Sequence, residues 1–219
     1  MNNMLRFPEP PRMAQPQGQQ RQQNPMRMLV NQFMGGMSPM AILDQMGGPQ
    51  AQQAKQLIGG KNENQLREIA MNMAIAEEGL RCEYGASIGR LLYNGGHCDL
   101  RTKARAYAAA GSDARMNGCE LPVCIISGSG NQGMTASVPV VVYARAWHID
   151  EDTLLRALLV SNLITVHQKT GIGCLSAYCG AISAVCGCGC GICYLAGGRY
   201  REIAHTLVNA VAILSGTIC

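Results

Sequence analysis

Residues 170–198 read TGIGCLSAYCGAISAVCGCGCGICYLAGG and hold no charged side chain. A stretch of this length can cross a bilayer. Its eight glycines and its many small side chains argue for another setting. Small residues let helices approach closely, and a helix without a polar face belongs inside a bundle. Only Tyr194 and Tyr200 lie near its end, so the aromatic belt of a membrane span is missing. The stretch is therefore read as buried helices of a mainly α domain.

Helix signals continue on both sides. Over 63–80, Leu66, Ile69, Ala70, Met73, Ala74 and Glu77 recur at helical spacing, which predicts one helix ending near Gly79 or Gly85. Residues 99–117 are rich in Ala and Arg, with Asp99 as N-cap and Gly118 as stop. Residues 121–127, LPVCIIS, are short and β-branched, and suit a strand or an extended lead-in. A loop over 128–133 precedes a helix expected from Met134 to Trp147, kinked by Pro139. Asp150 caps the next helix. Glu151 and Asp152 lie in its first turn, Leu155, Leu158, Leu159, Asn162 and Val166 along one side, and Lys169 in its last turn. A final helix is expected over 200–214. The expected fold is mainly α, a helical bundle-like domain with buried Gly/Ala/Cys-rich helices.

Upstream the composition changes. Residues 1–60 hold 12 Gln, 7 of the 9 Pro and 9 of the 13 Met, and no Cys; all 11 Cys lie from Cys82 onward. We divide the chain there, into a low-complexity Gln/Met/Pro-rich leader (1–60) and a helical domain (61–219). Residues 1–25 have no apolar period and are expected to be disordered. Short amphipathic helices are expected at 27–34, 39–46 and 50–58, each too short to be stable alone. Their Met-rich faces would suit docking on a partner.

No apolar h-region follows Met1, so no secretory signal is read, and a reducing cytoplasmic setting is expected. The 219 residues carry a net charge of +4 without a Lys/Arg block, which excludes a nucleic-acid footprint. Aromatics are 5% of the chain, so the core must be aliphatic. The expected partners are a small-molecule ligand and, at most, a second copy in a homo-oligomer, with neither nucleic acid nor membrane.

Three features bear on chemistry. In 186–193, Cys186, Cys190 and Cys193 share a helix face while Cys188 points away; the spacing fits no standard zinc or ferredoxin pattern and suits packing. In Ser127-Gly-Ser-Gly-Asn-Gln-Gly133, the glycines let backbone N–H groups turn toward an anion such as a carboxylate at a helix N-terminus. That segment has neither Walker nor Rossmann spacing, and a plain tight turn is an equal alternative. The third is 169–180, KTGIGCLSAYCG, with Cys219 forty residues beyond Cys179. Spacing alone leaves this pair unassigned. His97, His148, His167 and His205 are scattered and suggest no ligand set.

Five segments carry a resemblance: GSGNQG at 128–133, SVPVVV at 137–142, SNLITVHQKTGIG at 161–173, LSAYCGA at 175–181 and SGTIC at 215–219. Together, and in this order, they resemble the α-type catalytic domain of iron–sulfur L-serine dehydratases, and more closely the related L-cysteine desulfidase group. The resemblance spans about 70–219 and leaves 1–60 outside. It implies a largely helical fold and a [4Fe-4S] cluster held by three Cys. Cys179 matches the first ligand and Cys219 the second. The Asp-Gly and third Cys that the family places after the second ligand do not follow Cys219, and the family's more N-terminal part has no counterpart.

The resemblance therefore implies a family fragment, expected to be inactive as a 219-residue chain. The implied activity is amino-acid catabolism by an iron–sulfur lyase. Water or hydrogen sulfide is eliminated from L-serine or L-cysteine to give pyruvate and ammonia, with an iron as Lewis acid. Ser129, Asn131 and Gln132 would orient the amino acid, and Lys169 would pair with its carboxylate. The other classes weighed are a non-enzymatic helical interaction protein with a Met/Gln-rich leader, and a small membrane protein spanning at 170–198.

Overall fold

The computed structural model describes residues 63–96, 98–172 and 180–214. The expectations placed on the leader, on His97 and on Cys174, Cys179 and Cys219 lie outside these described residues. Among the described residues seven helices follow one another: α1 Glu63–Arg81, α2 Ile88–Asn94, α3 Leu100–Met116, α4 Gly130–Ala146, α5 Glu151–Ile172, α6 Gly180–Leu195 and α7 Tyr200–Leu214. The fold is mainly α, and no strand forms among the described residues. Segment 121–127 is an extended lead-in.

Two of the expected caps are in place. The Asp99 carboxylate accepts the Thr102 N–H at 2.8 Å and opens α3. The Asp150 carboxylate accepts from both the N–H (2.9 Å) and the hydroxyl (2.7 Å) of Thr153 and opens α5. Each satisfies a donor that the first turn of a helix leaves unpaired. Helix α2 was not expected. Seven residues are too few to show a period, and the helix leans on α3, where the Asp113 carboxylate accepts from Gly89 N at 3.1 Å.

Helix α4 sits at the centre, against α1, α3, α5 and α6. Its Val138, Val140, Val141, Val142 and Ala144 are buried, and Pro139 lies within the helix without ending it. β-Branched residues are weak helix formers. Burial on all sides overrides that preference, and the apolar area removed from water favours the helix at about 25 cal/mol per Å².

Helix α1 faces inward differently from the expectation. Leu66 is 41% exposed, and Glu77 lies at the surface in an ion pair with Arg145 (3.1 Å). The buried face carries Gln65, Glu68 and Asn72 together with Met73, Ile75 and Ala76. Apolar spacing alone selected a stripe rotated from the real one. The polar residues turn inward because partners on α4 and α5 await them.

Within the uncharged stretch 170–198, the described residues belong to α5, up to Ile172, and to α6, from Gly180, followed by the turn at 196–198. Among the described residues no helix is long and apolar enough to cross a membrane. Helices α5 and α6 pack closely at Gly187, where a Cβ would overlap the Ser161 carbonyl and the Thr165 hydroxyl. Ser161 Oγ in turn donates to Ala136 O at 2.7 Å and ties α5 to α4. A Gly187→Ala variant is expected to lose about 3 kcal/mol, the upper range for overpacking, because backbone rather than a flexible side chain blocks the methyl. Chemical denaturation checks this; an unchanged midpoint would rule out the close α5–α6 contact.

Candidate functional site

Segment 121–127 runs extended into a chain reversal. Ser127 (φ 57°) and Gly128 (φ 122°) take left-handed backbone, and Ser129 (φ −146°, ψ 143°) returns to extended geometry as the N-cap of α4. The helix begins at Gly130, four residues ahead of the expected Met134. Ser129 O accepts from Gly133 N at 3.2 Å, which closes the first turn. Gly133 lies on the Cys124 carbonyl with no room for a Cβ, so the glycines here serve close packing of a helix start rather than an open loop.

The residues proposed from sequence are therefore sorted by a helical turn. Ser129 is half-buried and its hydroxyl makes no capping bond. Asn131 turns toward α3, where its Oδ1 accepts from Arg115 Nη1 at 3.1 Å. Gln132 points inward and is 4% exposed. With its amide nitrogen oriented toward the chain reversal, it donates to Ile126 O (2.7 Å) and Ser127 O (3.2 Å). Its side chain lies directly against Gly180, the first residue of α6, where any Cβ would overlap it. Lys169, in the last turn of α5, is buried at 9% exposure. The structure thus brings Gln132 to the start of α6 and takes Asn131 away toward Arg115. Cys179 and Cys219 lie outside the described residues; in sequence, Cys179 immediately precedes α6.

A second group, missed in the sequence, lines the interior between α1, α4 and α5. Asn72 Nδ2 donates to Ser137 Oγ (3.0 Å), and Ser137 Oγ donates to Gly133 O (2.8 Å). Cys124 N donates to Asn72 Oδ1 (2.9 Å), which fastens the extended segment to α1. Asn162 Nδ2 donates to Glu68 Oε2 at 2.7 Å, while Glu68 Oε1 and Asn162 Oδ1 are buried without partners. Glu68 is 3% exposed, and burial pushes its carboxyl up from 4.5 to about 7; the Asn162 and Ser137 side chains temper the rise. A cleft of about 500 Å³ lies over it, lined by Arg67, Glu68, Met71, Cys124, Ser127 and Val166 among others. The signal for this group was present: Gln65, Glu68 and Asn72 recur at helical spacing as a polar stripe.

The cysteines divide by chemistry. Among the described residues no three His, Cys, Asp or Glu side chains come together as metal ligands. Cys186, Cys188 and Cys190 are buried in α6, and burial pushes the thiols of Cys188 and Cys190 up to about 12. Buried, protonated thiols of this kind suit packing as small apolar side chains. Cys98 is exposed. Cys98 is therefore expected to react with a disulfide reagent at least a hundredfold faster than Cys188 and Cys190, which should need unfolding. Mass mapping of the modified peptides checks the order, and early labelling of Cys190 would contradict the packing role.

Comparison with known proteins agrees with the motif resemblance. The profile of a family described as serine dehydratase alpha chain matches residues 34–219, starting ahead of the first of the five segments. A UPF0597 protein of Desulfitobacterium hafniense is 61% identical over 153 residues, 70% of this chain and 36% of that protein. UPF0597 proteins of Lachnoclostridium phytofermentans and Fusobacterium nucleatum are 52% and 49% identical, over 70% and 69% of this chain. The chain spans little more than a third of the length of these curated relatives, 36–37%. No solved structure matches the chain.

Proposed function

Because this chain belongs to the serine dehydratase alpha chain family, we propose that it forms part of an iron–sulfur lyase that eliminates water from L-serine or hydrogen sulfide from L-cysteine. The observation that carries this reading is the buried Gln132 amide seated against Gly180, the residue next to Cys179. That contact puts a proposed substrate-binding side chain beside the helix start that follows a proposed cluster ligand. In sequence Cys179 directly precedes Gly180, the first described residue of α6. Cys179 and Cys219 would hold a [4Fe-4S] cluster together with a third thiolate. When bound, such a cluster supplies a Lewis-acidic iron.

The chain's own residues would position the amino acid. Gln132 is fixed through two backbone carbonyls, so its remaining amide oxygen can accept a hydrogen bond with little loss of freedom. Lys169, held in the last turn of α5, supplies a positive charge for the substrate carboxylate in a site where water is scarce. Ser129 has a hydroxyl free of capping duty, and Asn131 is steadied by Arg115. The elimination breaks the Cα–H and Cβ–O or Cβ–S bonds and leaves an aminoacrylate, which hydrolyses to pyruvate and ammonia.

The test is the iron and sulfide content of the chain after anaerobic reconstitution. About four irons and four sulfides per chain, or per assembled pair, would support the reading. A protein that folds yet takes up neither would favour the non-enzymatic interaction role. Residues 1–60 are proposed to act as a leader separate from the domain at 61–219, in a cytoplasmic protein that self-associates.

A further inference from the structure

We propose that residues 50–58 fold back as a helix antiparallel to α1 and seat Leu57 and Ile58 in the cleft between α1 and segment 122–127. The proposal goes beyond the lyase reading and does not depend on it. It narrows the separate leader to residues 1–49.

The shape of the cleft suits a helix. Asn64, Arg67, Glu68 and Met71 line it from α1. Their spacing of three, four and seven residues marks one face of the first two turns. Val123, Ile126 and Val166 give the cleft its apolar side, and Ile125 stands on the rim, 59% exposed. The space between these walls is about 500 Å³.

Position in the chain chooses the occupant. The residues before Glu63 leave α1 at the mouth of this cleft, because Asn64 is already part of its wall. Residues 50–58, QAQQAKQLI, carry Ala51, Ala54, Leu57 and Ile58 on one helical face, with Lys55 as the one charge. Pro49 stands ahead of them and Gly59-Gly60 follow, residues that suit a helix start and a helix end. Gly59 to Asn62 then form a four-residue connection, within the range that joins antiparallel helices. Nine helical residues span about 13 Å, and the face from Asn64 to Met71 spans about 11 Å. A helix this short is not stable alone, but so short a tether holds it at the cleft at an effective concentration on the order of millimolar. A second copy or another protein would have to compete with that. The family profile, which matches from residue 34, also includes this segment with the domain. Once seated, the segment would brace 122–127, which Asn72 fastens at Cys124 and whose Ile126 and Ser127 carbonyls hold the Gln132 amide.

The test reads Cys124, which lies half-buried in the cleft with its Sγ 3.7 Å from Met71 Sδ. The full 219-residue chain is treated with a small disulfide reagent, and exposed Cys98 serves as the reference. Leu57→Asp combined with Ile58→Asp should raise the rate at Cys124 relative to Cys98 at least tenfold, while buried Cys190 stays unmodified. Met40→Asp, outside the segment, should leave the ratio within twofold. An unchanged ratio in the double variant would give the cleft to another occupant or to none, and would overturn the proposal. An equal rise with Met40→Asp would overturn it too.

A second arm decides the matter even where two aspartates unfold the domain. Leu57→Cys in the full chain, exposed to oxidised glutathione, should form a disulfide between position 57 and Cys124, since a seated segment brings the two Cα atoms to about the 5.5 Å that a disulfide spans. Mass mapping should find this link within one chain, at a yield that tenfold dilution leaves unchanged. Links only between two chains would hand the cleft to a second copy and overturn the proposal. Linkage of position 57 to Cys98 in place of Cys124, or no link at all, would do the same. Iron and sulfide content decides the lyase reading separately and is read in neither arm.

Discussion

Replacement of Cys179 by serine is expected to lower the iron and sulfide retained after anaerobic reconstitution at least tenfold. Groups outside the ligand set already change metal affinity 10- to 100-fold, and a ligand lost should do no less. Serine is close in size but is a poor iron ligand near neutral pH, since its hydroxyl keeps its proton. Cys219→Ser should behave alike. Cys188→Ala and Cys190→Ala are the controls, because both thiols are held protonated by burial in α6 and should leave the iron content unchanged while lowering stability by roughly 1 kcal/mol, the cost of a small cavity. Activity follows the same logic. Where the assembled protein forms pyruvate from L-serine or L-cysteine, Cys179→Ser should lower the rate at least a hundredfold, because the loss of a ligand removes the Lewis-acidic iron with it. Full iron retention in Cys179→Ser, with loss in Cys190→Ala, would move the ligand set into α6 and refute the assignment.

Much of the fold was legible because its signals are local. Asp99 and Asp150 each precede a helix whose first turn lacks acceptors, and each caps as its side-chain chemistry dictates. The start of α4 was less legible. A glycine-rich run reads as a loop, yet Gly130 and Gly133 are glycines because Arg115, Val123 and the Cys124 carbonyl crowd them, a tertiary cause that no local pattern records. The inward face of α1 was hidden for a related reason. Apolar periodicity finds the side that burial of hydrocarbon favours, whereas Gln65, Glu68 and Asn72 are buried among polar partners far along the chain, such as Asn162 for Glu68. Of the proposed site, Gln132 and Lys169 are buried in the described interior, and Asn131 is committed to Arg115. The cysteine pair that the family resemblance singles out lies outside the described residues.

Glu68 gives the clearest solution signature. Its carboxyl is raised from 4.5 to about 7 by burial. Between these values the unfolded chain has released the proton and the folded chain still holds it. Folding therefore takes up a proton there, and stability falls as pH rises. Across the window from pH 4.5 to 7 the loss is about 3 kcal/mol, at roughly 1.36 kcal/mol for each pH step of one. For a chain of this size that is roughly 6–12 °C in Tm. Other groups act elsewhere or in the opposite sense. Asp99, Asp150, Glu78 and Glu202 are held below their ordinary values, so their contributions are lost only in more acid solution. His167, with its pKa lowered by burial, adds stability as pH rises through the ordinary histidine range and partly offsets the Glu68 loss. The comparison that isolates Glu68 is therefore the difference between the unaltered chain and Glu68→Gln, which share His167 and the surface carboxylates. That difference should be small at pH 4.5 and grow to about 3 kcal/mol in favour of the variant at pH 8, since glutamine has no proton to lose while its amide fills the same space beside Asn162. Denaturation by urea at intervals across this range measures it. A difference that stays constant with pH would mean that Glu68 titrates alike in the folded and unfolded chain, and that its burial without a partner for Oε1 has no energetic consequence.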